Sequence, residues 1–257
     1  MTHREAFLLG VLQGITEFLP ISSSGHLVLA EKLFQIEGGG LTFDVFLHLG
    51  TLLAVLIYFW RDWQRMLHPG QGPWHRKLLF YLILATIPGA LAGFLLEDLV
   101  TTHFRTPERV AFQLAIMSLP LVLAEILSRK DRTLEEMKLS QAFLIGCAQG
   151  LAVIPGTSRS GITMATGLLL GFNREAAARF SFLLSAPIIA GAGCYEALEA
   201  FKSGNTLDLP FITGFLAAFG SGFLVIAWLL RFLRTHSFYP FVIYRLLLAA
   251  IVWGLGR

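Results

Sequence analysis

Charge is what this sequence has least of. Only 14% of its 257 residues are Asp, Glu, Lys or Arg, where a soluble domain carries about 25%. That leaves too little polar side chain to coat a soluble globule. With 55% hydrophobic residues, 22 Phe and a mean hydropathy of +0.66, the chain reads as a polytopic membrane protein. Cysteine is nearly missing. Cys147 and Cys194 both sit in apolar segments, which argues against a disulfide framework or thiolate metal site and for small buried hydrophobes. A strong basic surplus is missing too: the formal charge is +3, and no nucleic-acid partner is expected. The N-terminus shows no signal-peptide pattern, since Glu5 falls in the first turn and no small-residue cleavage site follows the apolar run. No composition shift marks a second domain, so residues 1–257 are expected to form one membrane domain.

Full-length apolar runs are lacking at two places where they would be expected. Residues 5–19 end at Pro20, and 27–36 are short again; at 1.5 Å per residue neither crosses a bilayer of about 30 Å. Residues 140–154, ending at Pro155, and 162–170 repeat the pattern. Short half-helices joined by a polar turn predict re-entrant hairpins, tolerated at membrane depth only when buried in protein or lining water. Six longer runs, 41–60, 78–100, 108–128, 174–200, 209–233 and 239–255, predict spans. Pro88–Gly89 is expected to kink the second. Trp60 and Trp63 mark an interface, residues 61–77 read as a loop, and the glycines at 38–40 as a flexible break.

The two short pairs are copies. At an offset of 136 residues Gln13 falls on Gln149, Gly14 on Gly150, Ser22 on Ser158, Ser24 on Ser160 and Gly25 on Gly161, and Phe46–Leu47 fall on Phe182–Leu183. Three spans per half, about 1–130 and 137–257, make the second half upside down relative to the first. Such inverted repeats place their site near the midplane between interrupted helices. The fold class expected is therefore all-α: six transmembrane helices plus two re-entrant hairpins in an inverted-topology repeat. Loops 61–77, 129–138, 171–179 and 231–238 carry twelve Lys/Arg; the opposite side has six, Arg4, Lys32, Arg105, Arg109, Lys202 and Arg257. The positive-inside rule makes the twelve cytoplasmic, with both termini and the first hairpin on the outer side.

The turns, SSSGH in QGITEFLPISSSGH and TSRSG in QGLAVIPGTSRSG, carry the polar groups. Ser22, Ser24, Gly25, Ser158, Ser160 and Gly161 supply hydroxyls and amides at helix N-termini, an anion cradle. Arg159 adds a planar fork for phosphate oxygens. His26 is an acid, base or nucleophile. Glu17 orients His26 or holds a divalent metal shared with phosphate. Together these are parts for phosphoryl transfer to water. Each serine also has a purely structural reading as an N-cap. Asp44 and His48, one turn apart, stay open between a functional pair and a helix-start cap. Arg245 reads as a buried structural group paired with a carboxylate or carbonyl, and Glu97 and Glu125 as interfacial.

ITEFLPISSSGH, FDVFLHLGTLLAV, PGTSRSG, ARFSFLLSAP and the closing Phe241, Tyr244 and Arg245 resemble the bacterial undecaprenyl-pyrophosphate phosphatase family (UppP, also called BacA) over nearly the whole chain. The resemblance implies removal of the terminal phosphate of undecaprenyl pyrophosphate, which recycles a lipid carrier for cell-wall synthesis, and bacitracin resistance. It implies a location in the bacterial inner membrane; the loop charges place the active site on the periplasmic side. It also implies a divalent cation, Mg or Ca, with Gln13 and Glu17 at the metal positions; Gln13 departs from the family's more frequent Glu. The partners expected are a polyprenyl pyrophosphate lipid and membrane lipids, and a homodimer is left open. The catalytic set expected is Glu17, Ser23, His26 and Arg159: Ser23 attacks with His26 as its base, with His26 itself or a water as the alternative nucleophile. A transporter or lipid flippase on the same repeat is the rival reading, since fold does not fix function.

Overall fold

The computed structural model describes residues 1–34, 36, 40–68, 70, 72–104, 106–202 and 208–255. Gly38 and Gly39 of the expected break, and Arg105 and Arg257 of the charge count, lie outside these residues, as does the Glu97 side chain. Among the described residues the chain is helical, without a β-strand: α1 His3–Phe18, α2 Ser23–Phe34, α3 Gly40–Tyr58, α4 Trp60–Leu67, α5 Pro73–His103, α6 Pro107–Ile116, α7 Leu119–Leu127, α8 Leu139–Gln149, α9 Arg159–Leu169, α10 Arg174–Lys202, α11 Leu209–Phe232 and α12 Tyr239–Leu255.

The two short pairs are where the sequence places them. α1 stops because Pro20 forces its predecessor out of the helical region: Leu19 is extended at φ −68°, ψ 144°. α8 tightens into a 3₁₀ turn at Gly150–Val153 before Pro155. Among the described residues four helical stretches are long and apolar enough to cross a membrane, in α5, α6–α7, α10 and α11; a fifth follows if α3 and α4, bent by 71°, are taken together. Of the six expected spans, four or five meet the length and composition of a span; α12 falls short at 17 residues. Residues 61–77, expected as a loop, contain α4, with Trp60 and Leu67 exposed and Met66 buried. α5 runs through Pro88 unbroken. The third span instead breaks at Met117–Ser118; Pro120 then sits in the first turn of α7, where its missing N–H removes no helical bond.

Packing exchanges partners between the halves. α1 lies mainly on α11, and α8 on α5; α3 pairs with α10, and α6 with α12. Close approach requires small residues at these crossings: a Cβ on Gly14 would lie 2.5 Å from the Ala218 carbonyl oxygen of α11. The largest apolar cluster joins α3, α5, α9, α10 and α11 through Val55, Leu82, Leu168, Phe180, Phe182 and Leu229.

Glu125 corrects its interfacial reading. It is buried and accepts from Arg174 Nε at 2.8 Å and Nη2 at 2.6 Å, from Lys130 Nζ at 2.9 Å and from the Phe238 amide at 2.8 Å. One carboxylate thus ties the end of α7 to the starts of α10 and α12. Glu125→Gln is expected to cost about 2 kcal/mol, less than a fully buried pair because both cations are partly exposed. Thermal denaturation in detergent should show Tm lower by roughly 5 °C; an unchanged Tm would remove this clasp from the account.

Candidate active site

The two turns interlock. Ser22 and Ser158, at equivalent positions, both adopt left-handed backbone, φ 75° and 71°, a conformation that costs a non-glycine residue about 1–3 kcal/mol. Each serine then caps the helix after it: Ser22 Oγ accepts from the Gly25 amide at 3.4 Å, and Ser158 Oγ from the Gly161 amide at 3.1 Å. Across the interface the Gly156 amide donates to Ser22 Oγ at 3.1 Å, and Ser160 Oγ donates to the Leu19 carbonyl at 2.9 Å. Gly156 has φ 94°, and a Cβ there would lie 2.8 Å from the Val110 carbonyl oxygen, so the position requires glycine.

Arg245 holds both turns from behind. It is fully buried, and its acceptors are neutral. Nη1 donates to the Pro20 carbonyl at 3.1 Å and Nη2 to the Gly156 carbonyl at 3.0 Å, which are equivalent positions in the two halves. Thr157 O, Leu114 O and Ser118 Oγ take the remaining donors at 3.1–3.3 Å. Of the two partner types expected, the structure uses carbonyls.

In front of the turns lies a cavity of about 130 Å³ lined by Glu17, Ser22, Ser23, Ser24, His48, Ala152, Ser158 and Arg159. Glu17 is its centre. Oε2 accepts from Ser23 Oγ at 2.5 Å and Gln13 Nε2 at 3.1 Å, and Oε1 from Arg159 Nη2 at 2.7 Å. Arg159 Nη1 donates to the Ser181 carbonyl at 2.9 Å. Thr163 Oγ1 supports both, lying 2.7 Å from Ser181 Oγ and donating to the Arg159 carbonyl at 2.8 Å. A guanidinium has five N–H donors, so Arg159 keeps others for a ligand. The N-termini of α2 and α9 open onto the same space and favour an anion there.

Six expected site residues therefore meet at the cavity: Glu17, Ser22, Ser23, Ser24, Ser158 and Arg159. Gly25 and Gly161 use their amides for the caps, and Ser160 faces Leu19. His26 lies elsewhere. Its Nδ1 is 2.7 Å from the Ser22 carbonyl, its Nε2 is 2.7 Å from Tyr244 Oη, and its ring stacks on Tyr244. The expected Ser23–His26 and Glu17–His26 pairs are thus replaced by Ser23–Glu17, because both ring nitrogens are engaged away from the cavity. His48, left open by the sequence, is in the cavity with Nε2 3.5 Å from Glu17 Oε2. Thr163 and Ser181 were not legible as supports of Arg159; the one available signal was the four-residue spacing of Thr163 from Arg159.

Gln13 and Glu17 do not fit a resident divalent cation. Mg and Ca take six or more oxygens, usually with several carboxylates or waters. Among the described residues Glu17 is the one carboxylate lining the cavity, and both its oxygens already hold donors, one of them cationic. Gln13 presents its N–H to Glu17, leaving Oε1 buried without a partner; reversing the amide would set two acceptors against each other. Among the described residues no three His, Cys, Asp or Glu side chains group to hold a metal.

A family model described as bacitracin resistance protein BacA matches residues 6–251. The chain is similar to proteins named undecaprenyl-diphosphatase. It is 48% identical to one from Desulforudis audaxviator and 49% to one from Moorella thermoacetica, each over 98% of this chain and 97% of the relative. It is 45% identical to one from Pelotomaculum thermopropionicum over 100% and 98%.

Proposed function

The chain belongs to the bacitracin resistance protein BacA family, and from that premise we propose that the cavity hydrolyses the terminal phosphate of undecaprenyl pyrophosphate. The products are undecaprenyl phosphate and inorganic phosphate, and the activity confers bacitracin resistance. The observation that carries the assignment is the meeting of Ser23, Glu17 and Arg159 in one cavity at two helix N-termini.

The terminal phosphate sits at the N-termini of α2 and α9, its charge met by Arg159, the turn amides and the hydroxyls of Ser22, Ser24 and Ser158. Ser23 Oγ, held on Glu17, attacks phosphorus, and Glu17 takes its proton. The transition state of phosphoryl transfer is loose, so little proton removal is needed early and catalysis comes mainly from position and charge. His26 positions the first turn by holding the Ser22 carbonyl and is not the base. The apolar spans around the cavity take the lipid tail.

The chain is a multi-pass protein of the bacterial inner membrane. The finer arrangement is six spans and two re-entrant hairpins in an inverted repeat; the exchange of partners between halves and the paired left-handed serines support it. The loop-charge asymmetry supports termini and site on the periplasmic side. The flippase reading is not favoured, because a nucleophile held on a carboxylate beside an arginine is suited to chemistry.

The test is phosphate release from a polyprenyl pyrophosphate by the purified protein in detergent. Release abolished by Ser23→Ala, with a phosphoserine trapped on the wild type, is expected; no release by the wild type overturns the proposal.

A further inference from the structure

His48 stands in the cavity, held from behind by its own helix. Its Nδ1 lies 2.7 Å from the carbonyl oxygen of Asp44, one turn earlier on α3. A carbonyl only accepts, so Nδ1 carries the hydrogen, and the neutral ring presents an unprotonated Nε2 on its other side. That side faces the cavity. Nε2 is 3.5 Å from Glu17 Oε2, the oxygen to which Ser23 donates at 2.5 Å. The side chain is 29% exposed, against 6% for Glu17. His48 thus meets the opening while Glu17 lies behind it, and a backbone carbonyl fixes the ring as partner groups orient catalytic histidines elsewhere. The charged groups facing it are Glu17 from α1 and, across the cavity, Arg159 from α9. On α10, Arg174 and Arg179 are engaged with Glu125 and Asp62.

We propose that His48 is a catalytic residue of this site, the group that holds the Ser23 proton between the two halves of the reaction. The inference rests on the phosphatase reading with Ser23 as nucleophile. In the first half the Ser23 Oγ–P bond forms and the bond from that phosphorus to the bridging oxygen breaks, its electron pair leaving with the lipid phosphate. The Ser23 proton crosses Glu17 Oε2 to His48 Nε2, so the carboxylate stays ionised and paired with Arg159. In the second half a water attacks phosphorus and the Oγ–P bond breaks. His48 returns its proton through Glu17 to the departing Ser23 oxygen. One water hydrogen stays on the inorganic phosphate, and the other passes to solvent as a proton. A serine oxygen is a poor leaving group without a proton, so the second half depends on His48 most.

The experiment compares wild type, His48→Gln and His48→Ala on a polyprenyl pyrophosphate in detergent, with rapid quenching and with Tm measured on each. Both variants are expected to retain the wild-type Tm and KM within a few-fold. Their kcat should fall about 100-fold, the scale of general acid–base catalysis, with phosphoserine at position 23 accumulating after a burst of lipid phosphate. Either of two results overturns the role while leaving the phosphatase reading intact: variants that keep kcat within threefold of an active wild type, or a slowed kcat without accumulated phosphoserine. An inactive wild type overturns the phosphatase reading, and this role with it.

Discussion

Arg159→Ala is expected to lower kcat about 10³-fold, the lower end of what a single arginine contributes in phosphoryl transfer. Its guanidinium has two jobs. It holds Glu17 Oε1 at 2.7 Å, keeping the carboxylate ionised under the Ser23 hydroxyl, and it presents further donors to the phosphate. Alanine removes both, leaving a carboxylate in a mostly buried place with no cation against an incoming anion. Lysine keeps the charge but cannot reach Ser181 O and Glu17 together with a planar fork, so Arg159→Lys should recover only part of the loss. Because Arg159 is 14% exposed and its other contact is a single carbonyl, Tm should fall little. Initial rates of phosphate release with a Tm for each variant decide the matter; a near-normal kcat in the alanine variant would mean that the cavity is not where the chemistry occurs.

Arg245→Leu should have the largest effect on stability. The substitution leaves the carbonyls of Pro20, Gly156, Thr157 and Leu114 facing an apolar side chain. A buried acceptor left without a donor costs about 1–3 kcal/mol, so even with relaxation the loss should be about 4 kcal/mol and the fall in Tm roughly 10 °C or more. Function should fail with it, because Arg245 binds one carbonyl from each turn and so fixes Ser22 against Ser158. Arg245→Lys, with three donors and no fork, should lie between wild type and leucine. If the leucine variant melted at the wild-type temperature and kept its activity, the turns would be held by their own cross-bonds alone.

The two turns were legible in the sequence alone. Two short apolar pieces ending at proline, each followed by a Ser-rich turn, foretold the two pairs of short helices, since proline ends a helix and serine caps the next. The repeat offset foretold that the turns would meet. The errors lie in pairing. His26, three residues from Ser23, was the nearer candidate base, yet its ring folds back onto Ser22 O and Tyr244. Glu125 looked interfacial because it stands near a span end, yet cations from two other segments converge on it. The third span is one apolar run in composition and one span in length, with a turn at Met117–Ser118 where Arg245 reaches Leu114 and Ser118.

The equivalent glutamines mark where each kind of information ends. Gln13 and Gln149 sit at the same place in the two copies. Gln13 donates to Glu17, whereas both amide atoms of Gln149 are buried without a hydrogen-bond partner, since position 153 is valine where position 17 is glutamate. The sequence by itself determined the membrane class, the two turns and the residue types that line the cavity, because composition, proline and local spacing act over a few residues. Only the tertiary structure decided that Ser23 pairs with Glu17, that His48 enters the cavity and His26 leaves it, and that one buried arginine joins the halves. Those outcomes depend on left-handed turns at Ser22 and Ser158 and on helices far apart in the chain, whose relative positions no local pattern encodes.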